Sequence, residues 1–291
     1  MSFMQHGRPP AQPAAPAGRL LSGRDRTAAL FLAILAVLLA AGFVLAPRAL
    51  TGAGPTHQHS LSTATSQAFT AYWQSRRPSY PPALADLVAY WRRYHLAKAG
   101  FAVALTIALC WLAHILWRSL LQAGRLRPAT TTAAVVSGSA VTALAFGSAV
   151  VVMATIQGAL APFSSLVSLL PVGHGDPALT RSASQIQHDL AEHQALPRTP
   201  ATLGAIIDDF QRYHAVLAAQ AAILAVVLIG LSMLMWRRAP TAGRAVPRAK
   251  PLLRLLATAF ALLTAIDLVV GAANLSTALN PDPALRLVFG G

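Results

Sequence analysis

Charge is scarce in this sequence, and acid is scarcest. Only 11% of the 291 residues are charged, and 9 are Asp or Glu. A soluble domain carries about 25% charged residues, so this composition argues against a globule that faces water on all sides. Cysteine is nearly missing too: Cys110 stands alone, which excludes a disulfide framework and a thiolate metal site. No HExxH, P-loop, GxSxG, CxxC or dinucleotide fingerprint occurs. No catalytic residue, metal set or cofactor is therefore assigned, and the chain reads as a non-enzyme.

What fills the space is apolar sequence in long uncharged blocks. Five of them, Ala28–Leu45, Ala99–Trp117, Thr132–Ile156, Val216–Trp236 and Leu255–Ala273, approach the ~20 residues that cross ~30 Å of hydrocarbon as a helix. Only a helix satisfies every backbone N–H and C=O within one such segment. The expected fold is therefore all-α: a polytopic membrane protein of about five transmembrane helices. Arg24 and Arg26 before the first block could flank a secretory signal, but Leu45-Ala46-Pro47 is a poor cleavage site, so the block reads as a retained anchor.

Basic residues near span ends are held in the cytoplasm. Arg8, Arg19, Arg24 and Arg26 precede the first span. Arg118, Arg125 and Arg127 follow the second, and Arg237, Arg238, Arg244, Arg248, Lys250 and Arg254 follow the fourth. The two long connections hold most of the acids, including Asp86, Asp176, Asp189, Glu192, Asp208 and Asp209. The pattern predicts a plasma-membrane protein with a cytoplasmic amino terminus and an extracytoplasmic carboxy terminus. The net charge of +14 is explained by topology and anionic lipid. No nucleic-acid module is visible.

The chain also matches itself. RRPSYPPALADLVAYWRRYH, ending at His95, aligns without a gap on ALPRTPATLGAIIDDFQRYH, ending at His214, 119 residues later. Pro78, Pro81, Leu84, Trp91, Arg93, Tyr94 and His95 meet Pro197, Pro200, Leu203, Phe210, Arg212, Tyr213 and His214. Thr199 stands where an N-cap would. Leu84, Leu87, Val88, Trp91 and His95 recur on one helical face, as do Leu203, Ile206, Ile207, Phe210 and His214. Each unit reads as span, outer loop, amphipathic helix and span, used twice in parallel. The divisions are a Pro/Ala-rich disordered tail (1–22), unit one (23–118), a cytoplasmic loop (119–131), unit two (132–237), a basic loop (238–254), and a fifth span with outer tail (255–291). Small residues at Ser139-Ala143-Gly147 and Ala257-Ala261-Ala265 would permit close helix approach, although such rows are common by chance in alanine-rich spans.

Several residues are candidates for ligand or partner contacts. His95 and His214 hold the same outer-boundary position and could bind a ligand or titrate. Asp267 is the only acid inside a span, and such a group needs a partner or a cavity; Lys98 is its expected ion-pair partner, the alternative being a protonated Asp267. Arg93 and Arg212 are expected at lipid headgroups. Tyr94 and Trp117, about 34 Å apart along a helix, and likewise Tyr213 and Trp236, are expected in the two aromatic belts. His114, Gln157, Gln220 and Asn274 are expected to hydrogen-bond between helices. His57 and His59 form a loop HxH without a counterpart around His174, and His188 and His193 lie off a common face.

The R-Y-H segments and arginine-flanked, alanine-rich spans resemble uncharacterised multi-span proteins of high-GC Gram-positive bacteria, some labelled twin-arginine signal proteins. The resemblance covers mainly residues 78–118 and 197–237 and implies no activity; this chain has no Arg-Arg pair before its first span. The first functional expectation is a scaffold or binding protein that presents a small helical cap to an extracytoplasmic protein or envelope component. A small transporter or channel using Asp267 is the alternative, and a haem or quinone redox protein using His95 and His214 is the third.

Overall fold

A computed structural model describes residues 20–52, 58–123, 127–173, 176–192, 199–245 and 249–290. Most of the 1–22 tail, with Arg8 and Arg19, lies outside the described residues, as do His57, Arg125, His174, His193, Pro197 and Arg248. Among the described residues there are helices and no strands. In chain order the helices are α1 (Gly23–Thr51), α2 (Gln58–Ser75), α3 (Pro82–Gln122), α4 (Pro128–Leu160), α5 (Pro162–Val167), α6 (Pro177–Glu192), α7 (Ala201–Ala245), α8 (Ala249–Leu279) and α9 (Asp282–Val288). Five of these, α1, α3, α4, α7 and α8, are long and apolar enough to cross a membrane. The chain is an all-α, multi-pass membrane protein.

Proline starts many of these helices, because its fixed φ suits the first turn and its missing N–H is not needed there. Pro82, Pro128 and Pro162 open α3, α4 and α5. The carbonyls of Pro81 and Pro200 accept from Ala85 and Gly204, each at 2.9 Å. The cap of α7 thus falls on Pro200, one residue beyond the expected Thr199, matching Pro81 before α3.

α3 has 41 residues, about 60 Å at 1.5 Å per residue, twice the hydrocarbon thickness. Its first turns, and those of α7, lie outside the membrane-spanning stretch in a cap with its own core. There Phe69, Tyr72, Trp73, Leu84, Phe163, Ile186, Leu203, Phe210, Leu285 and Phe289 form one buried cluster. The two long connections each contribute a helix, α2 and α6, where the sequence had suggested loop. The carboxy-terminal α9 joins them, tied by Gln187 Nε2 donating to the Phe289 carbonyl at 2.8 Å and Arg286 donating to that of Leu190 at 3.1 Å. Since α3 and α7 start in this cluster while α5 and α9 follow the ends of α4 and α8, α3 and α7 run away from the cap and α4 and α8 run toward it.

Below the cap, α3 packs on α1 and α4, and α7 packs on α8. The α4 seam is Ala134, Gly138, Ala145, Ser148 and Thr155; that of α8 is Leu253, Ala257, Thr264 and Asp267. Steps of three, four and seven keep these residues on one face of each helix. Apart from Ala257, the small-residue rows Ser139-Ala143-Gly147 and Ala257-Ala261-Ala265 are not the seams: Ser139, Ala143, Gly147, Ala261 and Ala265 are exposed.

Candidate functional site

The residues singled out by sequence fall into three separate surroundings. His95 lies on α3 with its ring edge-on to Trp91, centroids 4.5 Å apart. Its Nδ1 donates to the Trp91 carbonyl at 3.0 Å. The other edge faces α4 at Gly158, where an added methyl would overlap the ring. His214 repeats the ring geometry on Phe210, again at 4.5 Å, but its Nδ1 meets Asn274 Oδ1 of α8 at 2.8 Å. An apolar cavity of about 250 Å³ between α5, α7 and α9 is lined by His214 and not by His95. The structure therefore does not bring the two imidazoles to one cavity, as the expectation of a shared ligand had them. Among the described residues no group of three or more His, Cys, Asp or Glu is placed to hold a metal.

Asp267 is buried at the α7–α8 seam, 7% exposed, with Oδ2 lacking a hydrogen-bond partner. The expected ion pair with Lys98 does not form. The Lys98 ammonium sits 4.4 Å from the ring centroid of Phe43 on α1 and 5.3 Å from that of Tyr94, on the other helix pair. On α7, Gln220 Oε1 is likewise buried without a partner. Gln157 does bond between helices, donating to the Tyr213 carbonyl at 3.0 Å, and Asn274 bonds His214. His114 is exposed beside Trp111, so its expected interhelical bond is not made.

The aromatic and basic anchors divide similarly. Arg93 and Arg212 are exposed. Tyr94 stacks on Trp91 at 5.4 Å. Trp117 donates its indole N–H to Thr142 at 2.9 Å and packs on Gly138; it holds α3 to α4 rather than serving only as a belt residue. Trp236 is 47% exposed and lies beneath the Arg254 guanidinium.

The third surrounding, the cap, contains functional groups that sequence reading passed over. Asp209 is buried and accepts from the backbone N–H and hydroxyl of Ser164, both at 2.8 Å, which satisfies the start of α5. Beside it Tyr72 donates to the Pro78 carbonyl at 3.2 Å. Burial, with the Asp209 carboxylate adding to it, pushes the Tyr72 phenol up to about 12 and raises that of Tyr80 as well. Both remain neutral donors at ordinary pH. Trp73 is fully buried and donates to Gln185 at 2.9 Å, while Arg76 covers its ring and reaches Asp189 at 3.3 Å. The aromatic spacing of Phe69, Tyr72 and Trp73, one helical face, was the available signal for this site.

No protein-family model, curated protein or solved structure matches the chain. What the chain does has to be argued from its own geometry. The described residues offer an aromatic-cored cap, an orphaned carboxyl in a helix seam, and an apolar cavity with an imidazole in its wall.

Proposed function

We propose that this is a non-enzymatic scaffold or binding protein of the plasma membrane, amino terminus cytoplasmic, whose cap stands on the extracytoplasmic face and engages a protein or envelope component there. The observation that carries this reading is the cap core itself: two connecting helices, the first turns of two spans and the carboxy-terminal helix close around one aromatic cluster. Connections that only join spans do not need such a core, and a rigid platform presents a fixed surface to a partner. The test is a photo-crosslinking amino acid placed at Gln67 on α2 or Ser184 on α6, both exposed, in intact cells. The same discrete adduct from both positions, absent from a crosslinker at Thr130 on the opposite face, supports the reading. Adducts to lipid alone, or none, would refute it.

The internal duplication belongs to this reading and is larger than the sequence match. The starts of α6, α7, α8 and α9 follow those of α2, α3, α4 and α5 by 119, 119, 121 and 120 residues. The buried seam positions Ala134, Gly138, Ala145 and Ser148 have Leu253, Ala257, Thr264 and Asp267 as their counterparts, each 119 residues on. The repeated unit is then α2–α5 and α6–α9, with α1 an added helix, in place of the 23–118 and 132–237 pairing. One observation favours the transporter alternative: the partnerless Asp267 oxygen in a span. Proton-linked uptake into liposomes that is abolished by Asp267→Asn would establish it.

A further inference from the structure

Placing the two units in register shows where they differ. In the first, Trp91 fills the space between α3 and α5 and donates its indole N–H to Ser165 at 3.0 Å. At the corresponding positions 119 residues later stand Phe210 and Ala284, a smaller ring facing a methyl. The hydrogen-bonded pair has been replaced by two groups that cannot fill the same volume, and both line the cavity of about 250 Å³. Phe163, Ile206 and Leu285 complete its apolar wall, and His214 supplies an imidazole. His214 and Tyr213 lie where α7 passes from the cap into its span, and the rim residue Leu287 is 72% exposed, so the site opens at the bilayer interface.

The chemistry of the imidazole is fixed by its neighbour. Asn274 Nδ2 donates to the Val270 carbonyl at 2.9 Å, which turns its Oδ1 toward His214 as an acceptor. His214 Nδ1 therefore carries the ring hydrogen, and Nε2 of the neutral ring is an acceptor. In the first unit the His95 ring lies against Gly158 of α4, where there is no room for a methyl; the counterpart of that glycine is Thr277, whose side chain keeps α8 from approaching the His214 ring as closely. A dry cavity of ~150 Å³ holds benzene, so in proportion this one holds a fused two-ring group of about ten carbons. We propose that it is a binding site for a membrane-soluble compound with a two-ring apolar body and one hydroxyl, the hydroxyl donating to His214. The proposal does not depend on the cap having a protein partner.

The test uses the full chain in lipid nanodiscs with tritiated 2-naphthol, and naphthalene as the probe without a hydroxyl. One saturable site per chain is expected, with naphthalene about fivefold weaker, the worth of one hydrogen bond. His214→Phe should equalise the two probes. Phe210→Trp, which restores the first unit's residue, and Ala284→Leu, which fills the cavity from α9, should each abolish saturable binding. Should either variant fail to fold, saturability and the naphthol preference in the wild type still decide. Uptake that only tracks the amount of lipid, equal affinity for both probes, or binding that survives a folded filling variant would each overturn the site.

Discussion

The α3–α4 and α7–α8 seams solve the same packing problem with different polar groups. In the first, Ser148 is satisfied twice, meeting Thr106 Oγ1 at 2.8 Å and donating to the Ala102 carbonyl at 3.3 Å. In the second, Asp267 stands at that register, and the residues corresponding to Thr106 and Ala102 are Ala225 and Ala221. The hydroxyl partner is gone and a group far costlier to bury has arrived. The second arrangement costs stability, because a carboxyl in hydrocarbon is expensive unless protonated or paired. The first seam closes its buried hydroxyl in hydrogen bonds, and the second buries a carboxyl oxygen that has no partner.

Exchange of the two residues is the strongest way to break that contrast. Ser148→Asp should destabilise the protein by about 3 kcal/mol, measured as loss of thermal unfolding temperature in detergent. Asp267→Ser should stabilise it by about 1–2 kcal/mol. If Asp267→Ser instead destabilises, the carboxyl has a structural partner and the contrast fails. Next in size is Gly158→Ala, which drives a methyl into the His95 ring and should cost about 1–3 kcal/mol; Thr277→Ala, its counterpart, should be close to neutral.

The cap, which joins both helix pairs, should respond to alkali. Tyr72 is pushed up to about 12 from the usual value near 10. The folded form therefore holds a proton the unfolded form releases, and stability is complete below about pH 10 and falls as pH rises toward 12. Near-ultraviolet circular dichroism should report this loss, and Tyr72→Phe should weaken the dependence. The smallest expected effects are Thr106→Ala, a loss of about 0.6 kcal/mol, and Ala225→Thr, a gain of similar size, because its hydroxyl would stand opposite the Asp267 oxygen that lacks a partner.

The spans were legible in the sequence because nothing but length and uniform apolarity was needed to see them. The helical register of His95 and His214 was legible too, since one face carried every large apolar residue. The seams were not. Four-residue rows of small residues are common in alanine-rich spans, and only the partner helix decides that Gly138 and Ser148, not Ser139 and Gly147, meet it. A helical cap was expected, but its core was not legible, because it is assembled from segments far apart in sequence: Phe163 and Phe289 both stack on Phe69, at 6.3 and 5.8 Å between centroids, yet each sits in a short stretch that reads as connection. The Lys98–Asp267 pair failed because similar depth in the membrane does not imply the same helix pair.

The described helices α2, α5, α6 and α9 meet the first turns of α3 and α7 in one cap, and that cap must stand on one face of the membrane. The direct test is single-cysteine labelling in a Cys110→Ala background, with a membrane-impermeant maleimide on intact cells. Cysteines at Gln67, Ser184 and Leu287 should react without permeabilisation, while those at Thr130 and Thr241 should react only after it. Labelling of Thr130 or Thr241 in intact cells, or protection of any one of the three cap positions until the membrane is opened, would contradict the architecture.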